Sequence, residues 1–209
     1  MFTCLKDKKL ILASQSPRRA QLLKGLGLDF EVRTYDTDES FPDDLPSDQV
    51  AEYVATAKMA EAERDFSSDE MIITADSVVV LDGKILGKPK DIEEAKSTLR
   101  MLSGKTHMVY TGVCISDIEQ SISFTEETLV KFFEISEEEI IHYVSNYEVM
   151  DKAGSYGIQD WIGLAKVAEI RGSYTNIMGL PTHRIYDFLK DWDALWLAED
   201  ESDWDGDES

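Results

Sequence analysis

Six consecutive residues near the N-terminus, Ser14-Gln15-Ser16-Pro17-Arg18-Arg19, combine two hydroxyls, a proline and two guanidinium groups. Ser16 followed by Pro17 is the pattern of a helix N-cap and first helical residue. Helix initiation explains that pair unaided, but not the arginines. Two cations in a first turn sit at the positive end of the helix dipole, a loss of roughly 0.3–1 kcal/mol each. An anion bound there reverses the sign, because free N–H groups, serine hydroxyls and guanidinium forks all donate toward it. The turn is therefore a candidate phosphate site with Ser14, Ser16, Arg18 and Arg19 as its donors.

A second candidate is Asp76, in a run apolar on both faces: Ile73, Ala75, Val79 and Leu81 on one, Val78 and Val80 beside Asp76 on the other. Strands apolar on both faces are usually central. A carboxylate there must lie near a strand end, be paired, or bind metal. A solvated strand-end aspartate is the simpler alternative. If Lys88, in Gly87-Lys88-Pro89, converges on it with the two arginines, Asp76 has the surroundings of a general base or metal ligand. A third is the loop Asp151-Lys152-Ala153-Gly154-Ser155-Tyr156-Gly157-Ile158-Gln159. Its glycines permit close backbone approach. It reads either as an ordinary connection or as a base-recognition wall, in which Gln159 offers both an acceptor and a donor to the imide edge of uracil or thymine.

Other matches fail. Gly104-Lys105-Thr106 resembles the end of a Walker A loop, but Leu99 stands where its first glycine belongs. Gly25-Leu26-Gly27 follows a helical pattern, with Phe30 at the third glycine position of a dinucleotide fingerprint. His107, His142 and His183 have no metal-ligand spacing, and no serine or cysteine sits in a nucleophile elbow.

The elements that must position these residues are legible in outline. Leu10 to Ala13 reads as a buried strand, and the helix after Pro17 carries Leu22, Leu23 and Leu26. Phe30 to Tyr35 alternates like a strand. Ser47 can cap a helix with Val50, Tyr53, Val54, Ala57 and Ala60 at helical spacing. Met71 to Leu86 reads as a hairpin about Asp82-Gly83. Asp91 caps a helix reaching Leu102, closed by Gly104. Strands follow over 106–116 and 121–134, and Ser136 with Glu139 makes a capping box for a helix through Tyr147. A further strand is expected near Leu164 to Ile170, and a last helix from Pro181 to Trp192. The irregular alternation predicts an α/β fold on a mixed sheet with flanking helices.

Length and charge bound the rest. The chain has 209 residues and a net charge of -21. Such a surface repels polyanions, so no nucleic-acid polymer is expected as partner, although a local cationic pocket can still hold a small anion. No apolar run is long enough to span a bilayer and no signal peptide is evident, so no membrane association is expected and the cytoplasm is the expected compartment. Two distant cysteines, Cys4 and Cys114, make neither a disulfide framework nor a zinc cluster. Residues 193–209 carry eight acids and no base. This segment reads as a solvated, disordered tail after a domain spanning 1–192. Trp196 and Trp204 could serve there as a docking motif.

In order along the chain, six segments resemble the Maf family of nucleotide pyrophosphatases: Leu12 to Arg19, Ala75-Asp76-Ser77-Val78-Val79, Gly87-Lys88-Pro89, Leu102 to His107, Asp151 to Gln159, and Gly172-Ser173-Tyr174 with Gly179-Leu180-Pro181. The resemblance implies a Maf/inosine-triphosphatase-like fold with two lobes around a cleft, a homodimer, and hydrolysis of a nucleoside triphosphate to the monophosphate and pyrophosphate with Mg²⁺ or Mn²⁺. It assigns Asp76 as the catalytic proton acceptor, Ser14, Ser16, Arg18, Arg19, Lys58, Lys88 and Gln159 to the substrate, and Glu39 with Asp76 to the metal. It links Arg18, Ser77 and Gln159 to substrate choice. The form of the 151–159 loop is similar to the subgroup preferring dTTP and UTP rather than 7-methyl-GTP. Two departures stand out: Ser77 where threonine is commoner, and Asp160-Trp161 in place of a glycine-rich continuation. A nucleotide-binding regulator of septum formation and cell division is the alternative that the resemblance carries.

Overall fold

Burial of the run after Lys9 makes strand β1 (Lys9–Ala13), in which Leu10, Ile11, Leu12 and Ala13 are all buried. In the computed structural model, which describes residues 2–200 (the helical backbone alone over 196–200), the chain continues through α1 (Pro17–Gly25), β2 (Glu31–Arg33), α2 (Val50–Ala62), β3 (Glu70–Leu81) and β4 (Lys84–Leu86). Next come α3 (Ile92–Leu102), β5 (Thr106–Ser116), β6 (Ser121–Phe132), α4 (Glu137–Asn146), α5 (Trp161–Lys166), β7 (Val167–Arg171), α6 (Tyr174–Ile177) and α7 (Thr182–Asp200). Seven strands form one mixed sheet in the order β2-β1-β3-β5-β6-β7, with β4 also on β3. β1 runs parallel to β2 and β3, and the remaining pairs are antiparallel.

The long strand β3 belongs to both lobes. Met71, Ile73 and Ala75 pack with Leu23 of α1 and with Ile185, Leu189 and Trp192 of α7. Further on, Val79 and Leu81 pack with Leu99 and Leu102 of α3, Ile140 and Tyr143 of α4, and Ile162 of α5. The opposite face is covered by α2, which meets Ile72 through Met59 and Ala62, and Val78 and Val80 through Val50, Ala51 and Val54. Pairing along the β1 side of β3 stops at Ile73 and resumes with β4 only at Val79. The β5 side is continuous from Ile72 to Val80. Residues 74–78 thus lie on an open edge in the middle of the sheet, where the two lobes part.

Several local signals take the expected form. Pro17 opens α1 with Ser16 in the N-cap position, though the Ser16 side chain makes no capping bond, and the Asp82-Gly83 turn has both φ values positive, 51° and 78°, as a tight hairpin requires. Asp91 Oδ1 accepts from the Glu94 N–H at 2.8 Å, and the Ser136/Glu139 capping box is complete.

Other expectations are corrected. Ser47 does not cap α2, which begins at Val50 after a turn in which the Gln49 N–H donates to the Pro46 carbonyl. The buried stripe of α2 is Val50, Ala51, Val54, Ala55, Met59 and Ala62, while Tyr53 and Ala60 face solvent. Alanine is spread all round this helix, so apolar spacing does not mark its face. Leu164 is not in a strand but in α5, 83% exposed, and the strand starts at Val167. The last helix continues to Asp200 instead of ending at Trp192, so the segment begun at Asp193 is helical over its first turns. The tail beyond it, with Trp204, lies outside the described residues. Among the described residues no helix is long and apolar enough to cross a membrane.

Candidate active site

A cavity of about 560 Å³ lies against the open edge of β3 and brings together Ser14, Ser16, Arg18, Arg19, Glu39, Lys58, Asp76, Ser77, Lys88 and Gln159. These ten come from both lobes, from α2 and from the loops after β2, β4 and α4. Asp76 and Ser77 are adjacent on a strand and point to opposite faces. Both can border one cavity because, among the described residues, no strand covers that edge. Asp76 is therefore mid-strand, half-buried and paired, rather than a solvated strand-end carboxylate.

Its partner is Lys58, whose position on α2 follows from helix geometry. Ala51, Ala55 and Lys58 lie at i, i+4 and i+7 on the face toward β3 and β5. At the first, Gly112 of β5 has no side chain, and a Cβ there would come within 2.2 Å of the Ala51 and Glu52 backbone. At the second, the Thr74 hydroxyl donates to the Ala55 carbonyl at 2.7 Å. Held this close, Lys58 Nζ lies 2.7 Å from Asp76 Oδ1 and 2.7 Å from Glu39 Oε1, and Lys88 Nζ is 3.6 Å from the other Glu39 oxygen. Burial opposes the charge on Glu39, but the two ammonium groups outweigh it and hold its carboxyl below the ordinary value.

The two arginines behave differently. Arg18 reaches across the cleft to Asp151, 2.6 Å from Nη1 to Oδ2, while Lys152 takes the other Asp151 oxygen at 2.8 Å. Desolvation raises the Asp151 carboxyl and these two cations more than reverse it, leaving it lowered. Arg19 bonds the protein itself. Nη1 donates to the Ala75 carbonyl at 2.7 Å on the open edge, Nε to the Gly179 carbonyl at 2.8 Å, and Nη2 to Ser77 Oγ at 3.1 Å. Burial lowers its pKa against the attraction of Asp76, but a guanidinium keeps its proton. Ser14 Oγ accepts from the Ser16 N–H at 3.2 Å, closing the turn.

The far wall is the 151–159 loop. Tyr143 OH accepts from the Gly157 N–H at 2.9 Å and donates to Asp160 Oδ2 at 2.8 Å. Asp160 thus anchors the loop from beneath, while Trp161 packs on the second core beside His142. Gln159 Oε1 is buried and makes no hydrogen bond among the described residues. Tyr35 and Asp36, which the sequence did not mark as site residues, also line the cavity, as do Lys152, Tyr156 and Gly179 from segments that it marked without assigning them a role. Gly179 has a positive φ of 106° and its carbonyl accepts from Arg19; the sequence marked it within the Gly179-Leu180-Pro181 segment but gave it no role. In all, five cationic side chains face four carboxylates in the cavity wall, a locally cationic balance on a chain of net charge -21.

The donor set suits a hard divalent ion only in part. Glu39 and Asp76 offer carboxylate oxygens, and among the described residues no group of three His, Cys, Asp or Glu could hold a metal. A Mg²⁺-type ion, commonly bound by one or two carboxylates, water and a substrate phosphate, fits such a pair; an all-protein cage does not.

The Maf-like protein family model matches residues 9–192. A dTTP/UTP pyrophosphatase of Phocaeicola vulgatus is 49% identical over 91% of this chain and 99% of its own length. Proteins of the same description from Bacteroides thetaiotaomicron and Porphyromonas gingivalis are 50% and 48% identical, over 91% and 92% of this chain and 99% and 98% of theirs.

Proposed function

The chain belongs to the Maf family, and from that premise we propose that it hydrolyses nucleoside triphosphates, dTTP and UTP foremost, to the monophosphate and pyrophosphate. The observation that carries the reading is the convergence of Asp76, Lys58, Glu39 and Lys88 with the Arg18 turn on one cavity at an open sheet edge. Its relatives described as dTTP/UTP pyrophosphatases align over nearly their whole length.

In this reading Asp76 receives the proton of the water that attacks the α-phosphorus. Lys58 holds the Asp76 carboxylate in place and keeps Glu39 beside it. Arg18, Lys88 and Lys58 offset charge on the triphosphate and on the departing pyrophosphate. Arg19 acts through the main chain and Ser77, holding the floor of the site. Glu39 and Asp76 would hold Mg²⁺ or Mn²⁺ together with the substrate; such an ion, when bound, neutralises phosphate oxygens and acidifies coordinated water. Gln159, which offers both an acceptor and a donor, meets the imide edge of the pyrimidine. A homodimer in the cytoplasm, with residues 1–192 as the catalytic unit, completes the proposal.

A panel of canonical and modified nucleoside triphosphates, assayed with divalent metal for pyrophosphate and orthophosphate separately, tests it. Pyrophosphate release fastest from dTTP and UTP is expected. Preference for 7-methyl-GTP would overturn the role of Gln159, and orthophosphate as sole product would overturn the reaction. Stable dTTP binding without turnover would favour the cell-division regulator.

A further inference from the structure

Behind Ser77 runs a chain of hydrogen bonds whose direction is fixed at both ends. Arg19 Nη2 donates to Ser77 Oγ at 3.1 Å, Ser77 Oγ lies 2.9 Å from Thr111 Oγ1, and Thr111 Oγ1 lies 3.0 Å from the Asn176 carbonyl oxygen. A guanidinium can only donate and a carbonyl can only accept. Thr111 has one proton, and it goes to Asn176. Thr111 must then accept in its contact with Ser77, so the Ser77 proton points away from the cavity. Thr111 and Asn176 are fully buried, and the Asn176 amide is itself held by Nδ2 donating to Thr128 Oγ1 at 2.9 Å and to the Val109 carbonyl at 3.2 Å. Ser77 is half-buried and lines the cavity.

We infer that Thr111 is a positioning residue that turns Ser77 into an acceptor-only group, so that this point of the cavity takes a ligand N–H or O–H and not a phosphate oxygen. Phosphate oxygens of an ionised triphosphate carry no proton to offer. The donors shared by dTTP and UTP are the imide N3–H of the base and the 3′-hydroxyl of the sugar. The inference rests on the proposed hydrolysis for its substrates, not for its geometry.

Thr111→Val removes the acceptor and frees the Ser77 proton to swing into the cavity. A ligand with an acceptor at the critical point then gains, which a general loss of structure does not produce. The experiment measures kcat/KM for UTP, CTP and 3′-deoxy-UTP in the wild type, Thr111→Val, Thr111→Ser and Ser77→Ala. If the base N–H is read, the CTP/UTP ratio rises about tenfold in Thr111→Val, the worth of one hydrogen bond, while the 3′-deoxy-UTP/UTP ratio stays put. If the sugar hydroxyl is read, the second ratio rises and the first stays put. Thr111→Ser keeps both wild-type ratios, and Ser77→Ala loses the same discrimination as Thr111→Val. Unchanged ratios in a folded Thr111→Val overturn the inference. Should that variant not fold, wild-type ratios in Ser77→Ala overturn it instead. Dissociation constants for the same ligands give the same ratios, so a wild type without pyrophosphate release refutes hydrolysis and leaves the relay to be judged by binding.

Discussion

Lys58 Nζ is 2.7 Å from Asp76 Oδ1, and it is equally close to Glu39. One ammonium therefore sits between two carboxylates that would otherwise repel each other. The orientation of the Asp76 carboxylate is set by a helix instead of by its own strand.

Asp76→Asn keeps the size and polarity of the side chain while removing its basicity. Pyrophosphate release should fall about 10²–10⁴-fold, the usual worth of a general base. Thermal unfolding should change little. Wild-type-like release from this variant would remove Asp76 from its role.

The Arg18–Asp151 bridge spans the cleft and must yield if Arg18 is to meet phosphate. Asp151 is 47% exposed on its side chain, so the pair is worth about 0.2–1 kcal/mol. Asp151→Asn should accordingly lower KM by up to about fivefold, with kcat little changed. A raised KM would show that Asp151 helps to organise the substrate.

Gly112→Ala places a methyl group against the backbone of α2. Overpacking of this kind costs about 1–3 kcal/mol, read as a lower urea midpoint. Because Lys58 rides on the same helix, kcat should fall with stability. A fully active, fully stable variant would mean that α2 shifts freely.

Asp117, 5% exposed, carries the pH dependence of a different region. Desolvation raises its carboxyl, but Lys8, the Trp192 indole at 2.7 Å and two backbone N–H groups together hold it below the ordinary value. A carboxyl depressed in the folded state stabilises the fold fully above its unfolded value of about 3.9, and this contribution is lost as pH falls through the folded value. Asp117→Asn should be less stable at pH 7, and its stability should decline less below pH of about 4. Parallel stability–pH curves for the two proteins would refute this.

Legibility from sequence follows the range of the interaction. The Ser16-Pro17 start, the Asp82-Gly83 hairpin and the Ser136/Glu139 box were readable because each is settled within four residues. The ten residues expected at the site do line one cavity, most of them found through motif resemblance. The setting of Asp76 was not legible, since it depends on where β1 stops and β4 begins relative to β3. The Arg18–Asp151 and Ser77–Thr111 contacts join residues 133 and 34 positions apart, and neither spacing nor propensity encodes them. The face of α2 was misread because its alanines give the helix little contrast.

The open stretch of β3 also has a mechanical meaning. At residues 74–78 the sheet is only β3, β5 and β6 wide, because β1 and β2 end on one side and β4 and β7 begin on the other. A ribbon bends most easily at its waist. Here the waist is splinted on the back by a single rod about 20 Å long, α2, fastened through Gly112, Thr74 and Lys58. The front, where the cavity lies, is tied instead by the 176–179 segment, through Thr111 and Arg19. Asp76, the proposed general base, sits at this waist, between the end of β1 and the start of β4.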